Sequence, residues 1–546
     1  MFEKLTKNWI LITILLLGAI LRLWQLGNIP PHLTPDEASL GYNAYSILKT
    51  GRDEYGQVLP IVFKSFGDYK PGLYIYLTVP FVATLGLNEF AVRLPSALCG
   101  ILSIYLIFLI VRLLFNQKQL ALVSAFIAAI NPWLIQFSRG AWEVNLALTL
   151  TLLGVYFFKK ASKKSRCLIY SMFLFSLSLL AYQGAKLSTG IVALVMVAIY
   201  WKDILGMERK YLFLSFGIGF LISLPIVVSL FSGKTGRLTV FSVFSYPRPK
   251  EYTQAFLDEG KEKIGSVSYY LFHSEGLNFT RGILGRWFNH FSGRFLFFEG
   301  DWQNPRQTPP NQGVLLLADF ICLLVGVVIL LRQKFSRETK FVWCWLLLSP
   351  FPAALSRDQV HAVRSFNMVV PLIVIISLGF YFLTTKLKGC KSILLAIYLI
   401  SFIYFLDAYF IHLQKHDSQY WYYGYKQVVK KVTQVQGRYQ EIKVQQSYDQ
   451  PYIFFLFFQK YDPGKYQNQA KLTGGGADVG LIERLDNIEF GQIDWSVEKN
   501  KKNVLLVGDS VKIPAEEIKD KSKFEILDEI RYLDGREVAF IIVGIK

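Results

Sequence analysis

Long apolar runs, separated by short polar connections, make up most of the chain before residue 413. A helix needs about 20 mainly apolar residues to cross about 30 Å of hydrocarbon. About eleven runs reach that length. They begin near Trp9, Ala91, Leu120, Val144, Cys167, Leu187, Tyr211, Val314, Phe341, Phe366 and Ser392. The pattern therefore predicts an α-helical polytopic membrane protein with about eleven transmembrane helices.

A further apolar run, Leu73 to Leu87, is shorter and contains tyrosines, a threonine and Pro80. The basic clusters decide whether it crosses the membrane, because Lys and Arg collect in cytoplasmic loops. If this run does not cross, every later cluster falls on the same side as Lys4 and Lys7. The clusters are Arg112 with Lys118, Lys159 to Arg166, Lys202 with Arg209 and Lys210, Arg332 to Lys340, and Lys386 to Lys391. We therefore predict that Leu73 to Leu87 is an interfacial helix.

The same count of crossings places a second set of segments on the outer face. They are a first outer loop (residues 28–90), Arg139 with Glu143, the Gln183–Lys186 turn, a large outer loop (residues 231–312) and Arg357–Arg364. The large outer loop is rich in aromatic and basic residues, which predicts short helices lying on the membrane surface.

The composition becomes more polar after the last apolar run. Residues from Gln414 onward predict a helix over Tyr420–Tyr439, strands over Glu441–Gln445 and Asn503–Val507, and a hairpin turning at Asp534-Gly535. Gly474, Gly475 and Gly476 lack the strand and helix of a phosphate-binding loop and indicate a plain turn. The predicted domains are a transmembrane domain (residues 1–412) and a small extracytoplasmic α/β domain (residues 413–546).

Composition excludes several classes of protein. The 546 residues are 52% hydrophobic and 16% aromatic with a mean hydropathy of +0.33, which is too apolar for a soluble enzyme. The net charge of +19 comes from clusters between apolar runs, so it indicates membrane topology and not nucleic-acid binding. Cys99, Cys167, Cys322, Cys344 and Cys390 show neither disulfide nor zinc spacing.

An adjacent acidic pair, Asp36 and Glu37, lies a few residues outside the first predicted span. Adjacent side chains point in different directions, so one can face a substrate while the other holds the loop. The alternative is that Thr34 or Asp36 caps a helix. A third acid, Glu143, emerges from a later span, where an ion pair with Arg139 is the competing explanation.

The order of these parts carries a resemblance. A lone span, a loop with Pro35-Asp36-Glu37 near its start, Lys70-Pro71 at its end and then many spans resemble the GT-C superfamily of membrane glycosyltransferases. The nearest matches are the protein O-mannosyltransferases (glycosyltransferase family 39 type), the lipid A aminoarabinose transferases and the rhizobial lipopolysaccharide-core transferases. The resemblance implies sugar transfer from a polyprenyl-phosphate donor on the outer face, with inversion.

The resemblance also implies roles for residues. Asp36 corresponds to the catalytic base, Glu37 to its acidic neighbour and Glu143 to a second acid. Lys70 matches the lysine associated with the lipid phosphate, although Tyr69 replaces the acidic residue that precedes it in the aminoarabinose transferases. That replacement puts a metal ligand there in doubt, and a divalent metal cofactor is left open.

Further cations are candidates for binding the donor phosphate. They are Lys70, Arg139, His361 and Arg364, with Lys186 and Arg306 as weaker candidates of the same kind. Interfacial anchoring, in which long basic side chains reach from the bilayer to water, is the alternative for each.

The predicted function is that of a multi-pass plasma-membrane glycosyltransferase of the cell envelope, with its active site and C-terminal domain outside the cytoplasm. Its predicted partners are the lipid-linked donor, membrane lipids and a protein, lipid or glycan acceptor. The rival function is a transporter or flippase for lipid-linked saccharides, which would place charges at mid-membrane in broken helices. A catalytically inactive receptor whose C-terminal domain binds glycans is a third reading.

Overall fold

The computed structural model describes residues 9–231, 242–333, 336–387, 389–446, 450–473 and 480–546. The predictions at Lys4, Lys7 and Gly474–Gly476 lie outside these residues. The α-helices before residue 413 are α1 (Trp9–Leu23), α2 (Pro35–Thr50), α3 (Leu73–Leu85), α4 (Glu89–Phe115), α5 (Lys118–Ile130), α6 (Pro132–Ser138), α7 (Glu143–Ala161), α8 (Cys167–Leu179), α9 (Ala185–Leu205), α10 (Arg209–Phe231), α11 (Lys250–Glu259), α12 (Glu275–Asn289), α13 (Asp319–Arg332), α14 (Arg337–Leu348), α15 (Phe351–Ala354), α16 (Val369–Lys386) and α17 (Cys390–Asp407).

The remaining α-helices are α18 (Leu413–His416), α19 (Tyr425–Val435), α20 (Tyr452–Phe458), α21 (Pro463–Gln469) and α22 (Trp495–Glu498). Single turns of 3₁₀ or π helix lie at Val243–Ser245, Tyr269–His273, Arg294–Phe298, Pro305–Gln307, Phe366–Met368, Ala408–His412, Gln436–Arg438 and Glu517–Lys519.

The strands form one small hairpin in the first outer loop and a larger sheet near the C-terminus. They are β1 (Val62–Ser65), β2 (Asp68–Pro71), β3 (Glu441–Gln445), β4 (Leu472–Thr473), β5 (Leu481–Ile482), β6 (Arg484–Leu485), β7 (Ile488–Gly491), β8 (Val504–Gly508), β9 (Phe524–Arg531) and β10 (Val538–Ile545). The large sheet has the order β6-β7-β3-β8-β10-β9, with β3 parallel to both of its neighbours. The predicted C-terminal sheet domain is confirmed.

The predicted spans coincide with helices. In the described part of the chain, six helices are long and apolar enough to cross a membrane, or seven if the bent pair α5 and α6 forms one span. Two other predicted spans, α1 and α8, are shorter apolar helices. The polytopic helical fold is confirmed, while the number of crossings stays a prediction.

The run predicted to be an interfacial helix forms α3, which has 13 residues with Pro80 inside. At 1.5 Å per residue it is about 20 Å long, less than the hydrocarbon thickness of about 30 Å. Its length is consistent with the interfacial position that the charge count predicts.

A buried arginine holds the bend between α5 and α6, which is 57°. Pro132 has no backbone N–H, and the last carbonyls of α5 have no helical partners at this break. Arg22 of α1 fills that gap by donating to the carbonyls of Ala128 and Ala129 at 3.3 and 3.1 Å. Its Nε donates to the Ser138 hydroxyl at 3.2 Å. The first span is thereby fixed against the broken helix.

The large outer loop contains short helices, as predicted. Helix α12 has no buried residue, and its Leu284 and Phe288 are exposed. An exposed apolar face on a short helix is what a membrane-surface helix requires.

The C-terminal helix and strands differ little from the sequence prediction. The helix over Tyr420–Tyr439 is shorter, because regular α-helix begins at Tyr425 and ends at Val435. The residues before it form turns, with Tyr422 at a positive φ of 56°. Strands β3 and β8 and the hairpin of β9 and β10 lie where the sequence places them.

The C-terminal domain packs against α2 of the first outer loop. A Cβ added to Gly41 of α2 would lie 2.6 Å from the ring of Phe457, so glycine permits this close contact. The Gln467 amide of α21 donates to Ser46, Thr50 and the Asp53 carbonyl at 2.9–3.1 Å. The two domains therefore share an interface around α2.

The large outer loop and the C-terminal domain are predicted to lie outside the cytoplasm. Exposed positions there and in the predicted cytoplasmic loops should therefore be labelled from opposite sides of the membrane. In a variant with the five native cysteines replaced, single cysteines at Lys163, Glu259 and Lys519 are to be labelled with a membrane-impermeant thiol reagent in intact cells. We expect labelling at Glu259 and Lys519, and at Lys163 only after permeabilisation. Labelling of Lys163 together with Glu259 from one side would refute the topology.

Candidate active site

The first outer loop begins with a helix cap. Thr34 is the N-cap of α2, and its hydroxyl accepts from the Glu37 N–H at 3.2 Å while the Thr34 N–H donates to Glu37 Oε2 at 2.9 Å. This is a capping box, with the Thr-x-x-Glu spacing that satisfies two backbone donors. Thr34 and not Asp36 is therefore the cap, which leaves Asp36 in the first turn of the helix.

Glu37 is held in a buried ion pair with Arg93 of α4. Arg93 Nε lies 2.9 Å from Glu37 Oε1, and Arg93 Nη2 lies 3.3 Å from Glu37 Oε2. The Ala141 N–H also donates to Oε1 at 2.9 Å. With the Thr34 N–H, the carboxylate accepts four hydrogen bonds inside the protein. These four hydrogen bonds occupy the lone pairs of the carboxylate, which favours the interpretation that Glu37 anchors the loop; its predicted catalytic role stays a prediction.

The other donors of Arg93 bind the chain that leads into α2. They bond to the carbonyls of Leu26, Pro30 and His32 at 3.2, 2.9 and 2.6 Å. One guanidinium therefore fixes both the connection from the first span and the start of the acidic helix.

Asp36 lies in different surroundings from its neighbour. Its side chain is 58% exposed, whereas that of Glu37 is 5% exposed. Asp36 forms an ion pair with Lys70, whose side chain is only 8% exposed. An anion in the first turn of a helix is also favoured by the helix dipole. The structure thus exposes one carboxylate and buries the other.

Lys70 is presented by the hairpin of β1 and β2. Lys70 pairs with Phe63, and Asp68 with Ser65, on the buried face of the hairpin. The Lys70 ammonium also lies 5.3 Å from the centre of the Phe66 ring. The alternation of strand side chains aims Lys70 at α2.

The opposite face of the hairpin lines a separate cleft. Lys64 and Tyr69 contribute to this cleft, which has a volume of about 770 Å³ and is also bordered by Tyr55, Gln57 and Pro225 of α10. Because these side chains alternate with Lys70 along the strands, the cleft lies on the other side of the hairpin from the Asp36–Lys70 pair.

Two more predicted residues lie near this pair. Glu143 and Glu37 both lie close enough to the buried Tyr74 hydroxyl for their charges to act on it. Lys186 interacts through its charge with Asp68. The fold therefore brings Glu143 and Lys186 towards the first outer loop.

Arg306, His361 and Arg364 form a second group. The guanidinium of Arg364 pairs with Asp358 at 2.7 Å, and that of Arg306 lies 5.6 Å from the centre of the Tyr422 ring. Burial and the neighbouring Arg364 hold the pKa of His361 well below its usual range. The lowered pKa favours the neutral imidazole, whereas Arg306 and Arg364 are cations.

Buried polar groups join this second group to the large outer loop. Asp301 Oδ2 accepts from the Ala362 N–H at 2.7 Å, and the side-chain amide oxygen of Gln307 accepts from the Val363 N–H at 3.0 Å. Burial raises the pKa of Asp301 to about 6. The imidazole of His290 accepts from the His361 N–H at 3.2 Å.

Arg139, one of the predicted phosphate-binding cations, lies inside the protein. It is fully buried, and it donates to the carbonyls of Leu21 and Ile29 at 2.9 and 3.0 Å. Its guanidinium also lies 5.0 Å from the centre of the Phe410 ring. These contacts favour a structural role at the start of the first outer loop, and the predicted phosphate-binding role stays a prediction.

Sequence reasoning missed Arg93 and Glu54. Arg93 stands alone among apolar residues in EFAVRLPSAL, and a lone charge beside a span is a signal that could have found it. Glu54 follows Asp53 in a polar segment, and no sequence pattern separates it from an ordinary surface acid. Only the fold buries it completely.

A metal site does not emerge from the described residues. Within them, no group of three or more His, Cys, Asp or Glu side chains is arranged to hold an ion.

Comparisons with solved structures show what this fold is. ArnT from Cupriavidus metallidurans, in the apo state and bound to undecaprenyl phosphate, matches with a TM-score of 0.55 and 12% identity, over 98% of this chain and 98% of that chain. The GT-C resemblance is confirmed. The GT-C fold thus extends over both the transmembrane helices and the C-terminal sheet domain, and the protein is an integral membrane protein.

Other comparisons are narrower. Residues 70–231 match the family model described as dolichyl-phosphate-mannose-protein mannosyltransferase. The Archaeoglobus fulgidus oligosaccharyltransferase in the apo form is similar over 93% of this chain and 70% of that chain, with 13% identity and a TM-score of 0.48. No curated protein matches by sequence.

The burial of the Glu37–Arg93 pair predicts a large cost for breaking it. Glu37→Gln leaves a buried guanidinium without its counter-charge, which typically costs about 3 to 5 kcal/mol. We expect a marked fall in the thermal unfolding midpoint of the detergent-solubilised protein.

The control is Arg531→Gln, which breaks the exposed pair with Glu529. Exposed pairs contribute about 0 to 1 kcal/mol, so this variant should unfold close to the wild type. Equal unfolding midpoints for the two variants would show that the Glu37–Arg93 pair does not hold the loop.

Proposed function

We propose that this protein transfers a sugar from a polyprenyl-phosphate donor to an acceptor hydroxyl or amine at the outer face of the membrane. Asp36 is the general base and Lys70 binds the donor phosphate. The fold and the matched family model support a glycosyltransferase. ArnT, the solved protein of the same fold, has been crystallised with undecaprenyl phosphate.

The exposed Asp36, paired with the nearly buried Lys70, is the observation that carries the proposal. A base must reach the acceptor proton, which an exposed carboxylate can do and the enclosed Glu37 cannot. Lys70 keeps the carboxylate anionic and supplies a positive charge at the place where the leaving phosphate gains negative charge.

The proposed reaction is a direct displacement, as the family resemblance implies. The acceptor heteroatom attacks the anomeric carbon while Asp36 takes its proton, and the bond to the phosphate oxygen breaks on the opposite side of that carbon. The configuration therefore inverts. Lys70 stabilises the released lipid phosphate, with Arg306 and Arg364 as further cations on the outer face.

Asp36→Asn tests the base. The substitution keeps the size of the side chain and most of its hydrogen-bonding geometry, but the amide cannot accept the acceptor proton. We expect purified protein to bind lipid-linked donor and to transfer its sugar about 10²- to 10⁴-fold more slowly, the usual contribution of a general base.

The matched control is Asp462→Asn, because Asp462 caps α21 and Asn caps helices about as well as Asp. Its transfer rate should equal that of the wild type. Wild-type transfer by Asp36→Asn would refute the assignment of the base. Wild-type protein that moves donor across liposomes without transferring sugar would establish the transporter instead.

Lys70→Ala and Arg364→Ala test the phosphate site. Each lost charge-assisted contact costs about 1.5 to 3 kcal/mol, or roughly 10- to 150-fold in Kd. Titration with a polyprenyl phosphate should show a loss of this size for each variant, although each side chain already has a carboxylate partner, Asp36 for Lys70 and Asp358 for Arg364. Lys519→Ala, an exposed lysine of the C-terminal domain, should bind normally. Unchanged affinity in both site variants would contradict the phosphate site.

A further inference from the structure

Glu54 is a fully buried acid in the connection between α2 and the hairpin. Its Oε1 accepts from the Asn43 amide at 2.9 Å and from the Ser39 hydroxyl at 3.5 Å. The Glu54 N–H donates to Asn43 Oδ1 at 3.0 Å, so Asn43 holds this residue from both ends. Ser39 and Asn43 follow Asp36 along α2, on the helix face that carries the proposed base.

The same contacts continue into the hairpin that presents Lys70. The Ser39 hydroxyl lies 3.4 Å from that of Ser65, which pairs with Asp68 across the hairpin. Glu54 and Ser39 therefore connect α2 to the hairpin at a point close to the Asp36–Lys70 pair.

The groups around Glu54 leave it in a poor environment for a negative charge. Those whose charge or hydroxyl acts on it are Asp53, Lys70, Tyr42, Tyr55, Tyr452 and Tyr466. Among the described residues, no donor reaches its Oε2. A buried carboxylate with an unsatisfied oxygen is costly, whereas the neutral acid tolerates the same place at much lower cost. Burial raises the pKa of Glu54 to about 8.

We propose that Glu54 is a positioning residue whose carboxyl, held neutral, joins α2 to the hairpin without drawing the Lys70 ammonium away from Asp36. This inference rests on the proposed roles of Asp36 and Lys70. An ionised Glu54 would attract the same ammonium from inside the protein, and the proposed base and phosphate site would lose their geometry.

The first experiment compares the pH dependence of sugar transfer in the wild type and in Glu54→Gln. Gln resembles the neutral acid and cannot ionise. We expect Glu54→Gln to transfer within about threefold of the wild type at pH 7. Between pH 7 and 9 the wild type should lose activity about tenfold, as expected for one ionisation with a pKa near 8, and Glu54→Gln should keep it.

Two further variants define what the result means. Glu54→Ala removes the acceptor for Asn43 and Ser39 and should be slow at every pH, so rescue by Gln but not by Ala shows that the neutral hydrogen-bonding form is the one required. Glu498→Gln replaces another buried acid, which is paired with Lys443 in the C-terminal domain, and should keep the wild-type pH profile. A wild-type profile in Glu54→Gln, or equal losses in Gln and Ala variants at pH 7, would overturn the proposal.

A second measurement does not depend on sugar transfer. A carboxyl whose pKa is raised by folding binds its proton more tightly in the folded state, so rising pH destabilises the wild type from the unfolded value of about 4.5 up to about 8. The unfolding midpoint of Glu54→Gln should therefore exceed that of the wild type by an amount that grows from pH 5 to pH 8. A difference in unfolding midpoint that stays constant with pH would refute the neutral carboxyl of Glu54. If the difference grows with pH but the wild type transfers no sugar, only the proposed function is refuted.

Discussion

The buried ion pair of Glu37 and Arg93 is the contact on which the structure around α2 depends. Removing two charges from water costs several kcal/mol for each ion, so such a pair persists only when the remaining lone pairs and protons are satisfied. Here the carboxylate accepts four hydrogen bonds, and the guanidinium also bonds to three carbonyls before α2. The partners come from α2, α4, the connection from α1 and the segment before α7. One arrangement of the first outer loop satisfies all of them together.

That arrangement gives three neighbouring acids three different environments. Asp36 reaches solvent beside Lys70, Glu37 is enclosed by donors, and Glu54 is buried among tyrosines. When neighbouring carboxyl groups lie in different environments, their pKa values differ and they can take different roles in one site. The chemical distinction between these acids is therefore a property of the loop as a whole.

The C-terminal domain takes part in this arrangement from the other side. His32, just before α2, donates from Nδ1 to the Leu33 carbonyl and accepts at Nε2 from the Lys426 N–H of α19. Burial lowers the pKa of His32 to about 4, so it stays neutral and keeps both bonds. The C-terminal domain therefore contacts α2 at three places. These are the bond to His32 at the start, the contact with Gly41 in the middle and the bonds from Gln467 at the end. The domain acts on the site by fixing the helix that carries Asp36.

The sequence alone determined the apolar helices, the polar C-terminal sheet domain and the acidic helix start, because each follows from residues close together along the chain. Span-length apolar runs, alternating strand patterns and the Thr-x-x-Glu cap are local signals. Only the family resemblance indicated that Asp36 and Lys70 belong to one site, because the two residues are far apart in the sequence.

Tertiary structure alone decided which charges are available. Arg139 and Glu37 resemble surface residues in the sequence, yet carbonyls and backbone donors from distant segments enclose them. Burial raises the pKa of Glu54 and lowers that of His361, and Arg93 acquired its partners from the connection before α2 and from Glu37 in α2. The physical reason is that burial and hydrogen bonding depend on what packs against a side chain in space, and those neighbours are set by the whole fold and not by adjacent residues.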